Sequence, residues 1–168
     1  MATNIDKTLV SADAKNLSDF MQSILDKVVE AYADYNMPLP YRQYWTMGLP
    51  AIDCEQLVVS FIQLFLGTPG DEQAAPYKGF IPRTATVNIT ISRAVPIVGQ
   101  NGRPPSAETI ESFAEISAYD SWILMDSVAK FDPWEDANPG FGVVATLETD
   151  SAEGGFQTVT LTLTAAVP

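Results

Sequence analysis

The chain has 168 residues, 46% hydrophobic and 18% charged, which fits one globular unit with its own core rather than a disordered segment. Its formal net charge is −12, and the nine Lys and Arg are scattered without forming a stripe, which argues against a surface that grips phosphate. Nucleic-acid gripping is therefore not expected, and an acidic surface would repel any DNA that slid past it.

Residues 1–12 read as a flexible arm, with Ser11 or Asp13 placed to cap a first helix beginning at Ala14. From there Leu17, Phe20, Met21, Ile24, Leu25, Val28, Val29 and Tyr32 keep the three-four spacing of one helical face. Pro38 and Pro40 end it. The aromatic-rich stretch 41–48 predicts a strand with Tyr41, Gln43, Trp45 and Met47 on one face and Arg42, Tyr44 and Thr46 on the other. A turn through 49–53 leads to a second strand over 56–66, apolar on both faces and so expected at the middle of a covered sheet. A short helix is the competing reading there.

The third strand, 84–92, alternates cleanly. Ala85, Val87, Ile89 and Ile91 point to the core, while Thr84, Thr86, Asn88, Thr90 and Ser92 point to water or a polar partner. Ser106 is placed to cap a second helix running to about Lys130, with Glu108 and Glu111 early where the helix dipole favours them. Its apolar face is read as Ile110, Phe113, Ala114, Ser117, Trp122, Ile123, Leu124 and Val128. Two closing strands, 142–148 and 157–164, are joined through Gly154 and Gly155 as a hairpin. The expected fold is α+β: a mostly antiparallel or mixed sheet of about five strands, two helices on one face, and a long hairpin loop.

Little in the chain suggests catalysis. It has no histidine, which removes the commonest general base and metal ligand, and Cys54 is the only cysteine. Asp53 and Glu55 flank Cys54 and are weighed as a cation site against turn-marking charges; Asp132, Glu135 and Asp136 lack the calcium-loop spacing. Glu108, Glu111 and Glu115 read as a solvated helix face. Trp45, Trp122 and Trp134 read as core or loop anchors before a ligand pocket. No catalytic residue, metal site or cofactor is assigned. The opening seven residues lack the apolar run of a signal peptide, and the 57–66 stretch is about half the length of a membrane span. A reducing cytoplasm and no membrane partner are the expectation.

The connection between the second and third strands is far longer than a hairpin needs. It carries Pro69, Asp71, Glu72, Pro76, Tyr77, Phe80, Ile81, Pro82 and Arg83, anchors and prolines suited to ordering against another chain. With Arg103 in the next loop and Trp134 after the second helix, these residues form the candidate subunit and partner interface.

Several stretches resemble tail terminator proteins from long-tailed phages of actinobacteria, the mycobacteriophage type. They are Asp53-Cys54-Glu55-Gln56-Leu57-Val58-Val59-Ser60, Leu66-Gly67-Thr68-Pro69-Gly70 and Ile91-Ser92-Arg93-Ala94-Val95-Pro96. The helix with Tyr119-Asp120-Ser121-Trp122-Ile123-Leu124 and the closing Gly155–Thr164 run complete the set. The resemblance covers most of the chain from about Asp53 onward. It implies a virion protein of the tail and neck, a homo-oligomeric ring, usually of six subunits, on the head-proximal end of the tail tube. Such a ring stops tube polymerisation and docks on the head–tail connector or head-completion protein, with DNA passing through its bore. The family carries no catalytic residues. The alternatives are another neck, head-completion or tail-tube protein, or a small-molecule-binding α+β module.

Overall fold

A computed structural model describes residues 12–70, 83–98, 102–129, 143–150 and 154–167. The element order is α1 (Ala12–Asp34), β1 (Arg42–Met47), β2 (Gln56–Leu66), β3 (Arg83–Ala94), α2 (Ala107–Ala129), β4 (Val144–Thr149) and β5 (Phe156–Ala166). The strands form one mixed sheet in the order β1-β2-β3-β5-β4, so the fold is α+β as expected.

Alternation along the three long strands builds the core. Leu57, Ile91 and Val159 stand in one cross-strand row, and Val59, Ile89 and Leu161 in the next. All six are buried. Against them α1 lays Phe20, Met21, Ile24, Val28 and Tyr32, while α2 lays Ile123, Leu124 and Val128. Burying each such aliphatic side chain is worth about 1.5–3 kcal/mol, so these rows dominate the stability of the fold.

The helix ends follow their local chemistry. Ser106 Oγ accepts from the Thr109 amide at 3.2 Å, the N-cap the sequence predicts. At the end of α1, Asn36 takes a left-handed φ of 51°, its amide reaching Ala33 O and that of Met37 reaching Tyr32 O. The start of α1 differs from expectation. The helix begins at Ala12, so Asp13 lies inside its first turn instead of before it; Ser11 and the rest of the proposed arm fall outside the described residues.

Four further differences bear on function. β1 runs parallel to β2, because the chain from 48 to 55 travels back along the strands instead of turning tightly. That return lies against the sheet face away from the helices, where Gln56 Nε2 donates to Ala51 O at 2.7 Å. Second, β2 is covered only over its first half: residues 56–60 are buried, but Ile62, Leu64 and Leu66 are exposed. Third, the polar side chains of β3 do not face open water. Thr84, Thr86, Thr90 and Ser92 are buried, held side to side with their neighbours at Thr86–Thr164 (3.2 Å) and Thr90–Thr160 (3.1 Å). A central strand has a neighbour on each side, so short hydroxyl side chains close over one another. Fourth, the apolar face of α2 is buried only from Asp120 onward, and Ile110 and Trp122 stand exposed. The core accepts a stripe about 100° wide, and α2 carries apolar groups around more of its circumference than that.

Replacing Ile89 by Ala at the centre of β3 is expected to cost about 2–5 kcal/mol, read as a lowered midpoint in urea unfolding with an unchanged slope.

Candidate functional site

One buried ionic cluster fixes the position of α2. Asp120 has no exposure, yet it sits on the core-facing stripe of the helix. Arg93, at the end of β3, meets it in a two-pronged contact, Nε to Oδ2 at 3.0 Å and Nη2 to Oδ1 at 2.9 Å. Tyr32 of α1 donates its hydroxyl to Oδ1 at 2.8 Å, and Arg93 Nη2 also donates to Pro38 O at 2.9 Å. Burial and then the Asp120 charge hold the Tyr32 hydroxyl protonated well above the usual phenol range. Burial opposes the Arg93 charge, but the Asp120 hydrogen bond and charge outweigh it and raise the guanidinium above its ordinary value. Ser117 Oγ reaches Gln157 Oε1 at 3.3 Å beside the cluster. The middle of α2 is thereby pinned to the end of the sheet where β3 finishes and β5 begins.

Beyond that pin, towards its N-terminus, the same face of α2 becomes more exposed. The stripe Ile110, Phe113, Ser117, Asp120, Leu124 and Val128 repeats at three- and four-residue steps, one continuous face. Its exposure climbs towards the N-terminus: Leu124 and Asp120 are buried, Ser117 and Phe113 half-buried, and Ile110 is 53% exposed. Ile97, Val98 and Tyr41, near the same end of the sheet, are also exposed.

The opposite end mirrors this. On the helix side of β2, Leu57 and Val59 are buried, whereas Leu64 and Leu66 are 47% and 62% exposed. A bulge between Phe61 and Gln63 sets their direction. After it, Leu64 pairs with Ala85 of the core and Leu66 with Arg83. Leu64, Leu66 and Arg83 therefore share the helix-facing side of the sheet. Gly67, at φ 152°, accepts the Thr84 hydroxyl and closes the strand, and Gly70 comes up against Val144 of the far edge strand.

Of the predicted interface, Pro69 is half-buried near this hairpin end and Arg83 is exposed on it. Arg103 is exposed in the turn before α2, at the other end. Asp71, Glu72, Pro76, Tyr77, Phe80, Ile81 and Trp134 lie outside the described residues, as do Pro82 and the Asp132, Glu135 and Asp136 group. Asp53 binds Arg42 at 2.9 Å, and Glu55 accepts the Ala94 amide at 3.0 Å, so this pair ties strand ends together. Cys54 Sγ is 3.5 Å from Arg42 Nη1. Trp45 packs on the core and donates to Gln22 Oε1 at 3.2 Å, whereas Trp122 is 66% exposed and anchors nothing in the core. Among the described residues no group of three or more His, Cys, Asp or Glu is arranged to hold a metal ion. No helix among them is long and apolar enough to cross a membrane.

Sequence reasoning passed over Asp120 and Arg93. Their signal is a carboxylate falling in step with Phe113, Ser117 and Leu124 on an otherwise apolar stripe, which a folded core accepts only with a cation. Exposure at the two ends had no such signal, because it depends on where the sheet stops.

No protein-family model matches the chain, and no curated protein matches it.

Asp120→Ala is expected to lower stability by about 3–5 kcal/mol, since it leaves the Arg93 guanidinium largely buried without its carboxylate. Tyr32→Phe, losing one hydrogen bond to a charged group, is expected to cost about 1.5–3 kcal/mol. Above pH 10 an unfolded tyrosine releases its proton while folded Tyr32 keeps it, so the unfolded state binds fewer protons and stability falls as pH rises. Urea unfolding between pH 8 and 11 should show that decline, with a shallower slope for Tyr32→Phe.

Proposed function

We propose that this protein is a structural subunit of a phage virion, a tail-terminator-like component of the tail and neck. It assembles with itself into a ring, sixfold in the family it resembles, on the head-proximal end of the tail tube. There it stops tube growth and joins the tail to the head connector. The subunit is made and assembled in the host cytoplasm and becomes part of the particle.

The observation that carries this reading is the placement of exposed apolar surface. Ile62, Leu64 and Leu66 stand at one end of the sheet, Ile97, Val98 and Ile110 at the other. Large apolar side chains left exposed together suit a contact with another protein. Two unlike patches at opposite ends suit head-to-tail assembly, which closes as a ring when the rotation per subunit allows it. The acidic balance of the chain, net −12, suits a bore through which DNA slides without adhering.

Light scattering on the eluting protein is expected to give one discrete mass near six subunits, and negative-stain images a closed ring. Mixed with tail-tube protein, the ring should sit on one end of each tube and limit its length. A monomer both alone and with tube protein would remove this reading. Open filaments of this chain alone would assign it to the tube itself.

A further inference from the structure

We propose that copies of this chain join edge to edge, β1 of one pairing antiparallel with β4 of the next, so that neighbours share one continuous sheet. This rests on the reading that the chain assembles with itself, and it names the contact.

The two edges fit each other in length, direction and phase. β1 and β4 are the outermost strands of the sheet, and each is six residues long. Followed across the ladders, β1 and β4 point opposite ways. A second copy set alongside, helices on the same side, therefore meets the first in the antiparallel sense. The Gly48 amide donates to Phe61 O, which turns the even-numbered backbone of β1 towards β2 and leaves that of Gln43, Trp45 and Met47 pointing outward. The Asp150 amide donates to Thr158 O, which leaves Ala145, Leu147 and Thr149 outward in the same way. Trp45 and Leu147 stand at the two ends of one cross-strand row, Thr46 and Thr146 at the ends of the next. Side by side without stagger, Gln43 thus faces Thr149, Trp45 faces Leu147 and Met47 faces Ala145. Each outward N–H and C=O then lies opposite its complement. Trp45, Ala145 and Leu147 already lean on the core, so these pairs extend it across the junction. Among the described residues no strand lies beyond either edge, and neither has the proline, lysine or bulge that blunts a free one.

Charge decides which edges meet. β1 holds one charged residue, Arg42, and β4 holds one, Glu148, with Asp150 just after it. Two β4 edges paired about a two-fold axis would gather two Glu148 and two Asp150 carboxylates at one junction, and two β1 edges would gather two Arg42. Unlike edges bring Arg42 level with Asp150 and diagonal to Glu148. Arg42 gives Nη1 to Asp53 and keeps other N–H groups for the neighbour. Pairing of unlike edges repeats from copy to copy, as a ring requires.

The test cross-links the full chain. Thr46 and Thr146 would face each other as a non-hydrogen-bonded pair, with Cα atoms about 4.5 Å apart and within disulfide range. In a Cys54→Ser background, oxidised Thr46→Cys/Thr146→Cys is expected to give a ladder of covalent multimers on a denaturing gel, collapsing to monomer on reduction. Each single variant alone should stay monomeric on that gel, and the two mixed should give a dimer and nothing larger. Thr46→Cys/Glu148→Cys, out of register, should cross-link roughly tenfold more slowly. Should Cys54→Ser alter the circular dichroism, the same variants are compared with Cys54 kept. Independently, Thr149→Pro removes one outward N–H and spares the ladder to β5; it should raise the concentration needed for assembly roughly tenfold. No ladder from the double variant, or a dimer from either single variant, would overturn the contact. A discrete parent ring without the cross-link would overturn it while leaving the ring reading in place, whereas a parent that is monomeric alone and with tube protein would remove both.

Discussion

A carboxylate inside an apolar stripe has to find a cation, and that requirement orients this molecule. Asp120 is fully buried on α2, and Arg93 is the group that meets it, with Tyr32 adding a third bond and Pro38 taking the spare guanidinium hydrogen. The cluster therefore touches both helices, the central strand and the turn leaving α1. Apolar contacts are non-directional, so alone they would resist a slip of α2 along the sheet only weakly. A two-pronged ionic contact does not tolerate that slip. Pairs of this kind add little net stability relative to a hydrophobic replacement, and their value here lies in fixing register. How much of α2 lies buried follows from that register.

The face of the sheet away from the helices is built differently. Val58 is buried there, but around it stand Ser60, Thr86, Asn88, Thr90, Thr160 and Thr162. Adjacent strands bond through their side chains, Thr86 to Thr164, Asn88 to Thr162 and Thr90 to Thr160. Each such pair adds a few tenths of a kcal/mol and stiffens the sheet. The strand backbone contacts multiply this effect along eleven paired positions between β3 and β5. A stiff three-strand centre holds the two ends of the sheet in a fixed geometry relative to each other.

Much of this was legible in the chain. Thr84 to Ser92 alternates without a break, and Leu17 to Tyr32 keeps helical spacing over four turns, so both elements and their inward faces could be read directly. Ser106 and the prolines after α1 marked the boundaries. What escaped depends on distance through space. The parallel course of β1 follows from residues 48–55 running back along the sheet, and no local pattern distinguishes that from a turn. The exposure of Leu64, Leu66 and Ile110 reflects where neighbouring elements end, and an apolar residue at the correct spacing looks the same whether or not something covers it. Most of the residues first assigned to the interface lie in 71–82, whereas the surfaces argued from the structure lie outside that segment.

The bulge at Ile62 gives β2 a change of parity. Strand residues alternate sides by odd and even number, and one unmatched residue exchanges the two classes from that point on. Below it the odd-numbered Leu57, Val59 and Phe61 look towards the helices; above it the even-numbered Leu64 and Leu66 do, while Gln63 joins the threonines on the other side. The two halves of the strand are thus addressed independently. Substitutions on the inner half are constrained by the fold of a single chain, and those on the outer half by whatever meets that end. A single inserted or deleted residue near position 62 would leave the core intact and turn the outer surface inside out, exchanging leucines for Gln63 and Phe65. Changing what this end of the molecule recognises requires no new fold, only a shift in count.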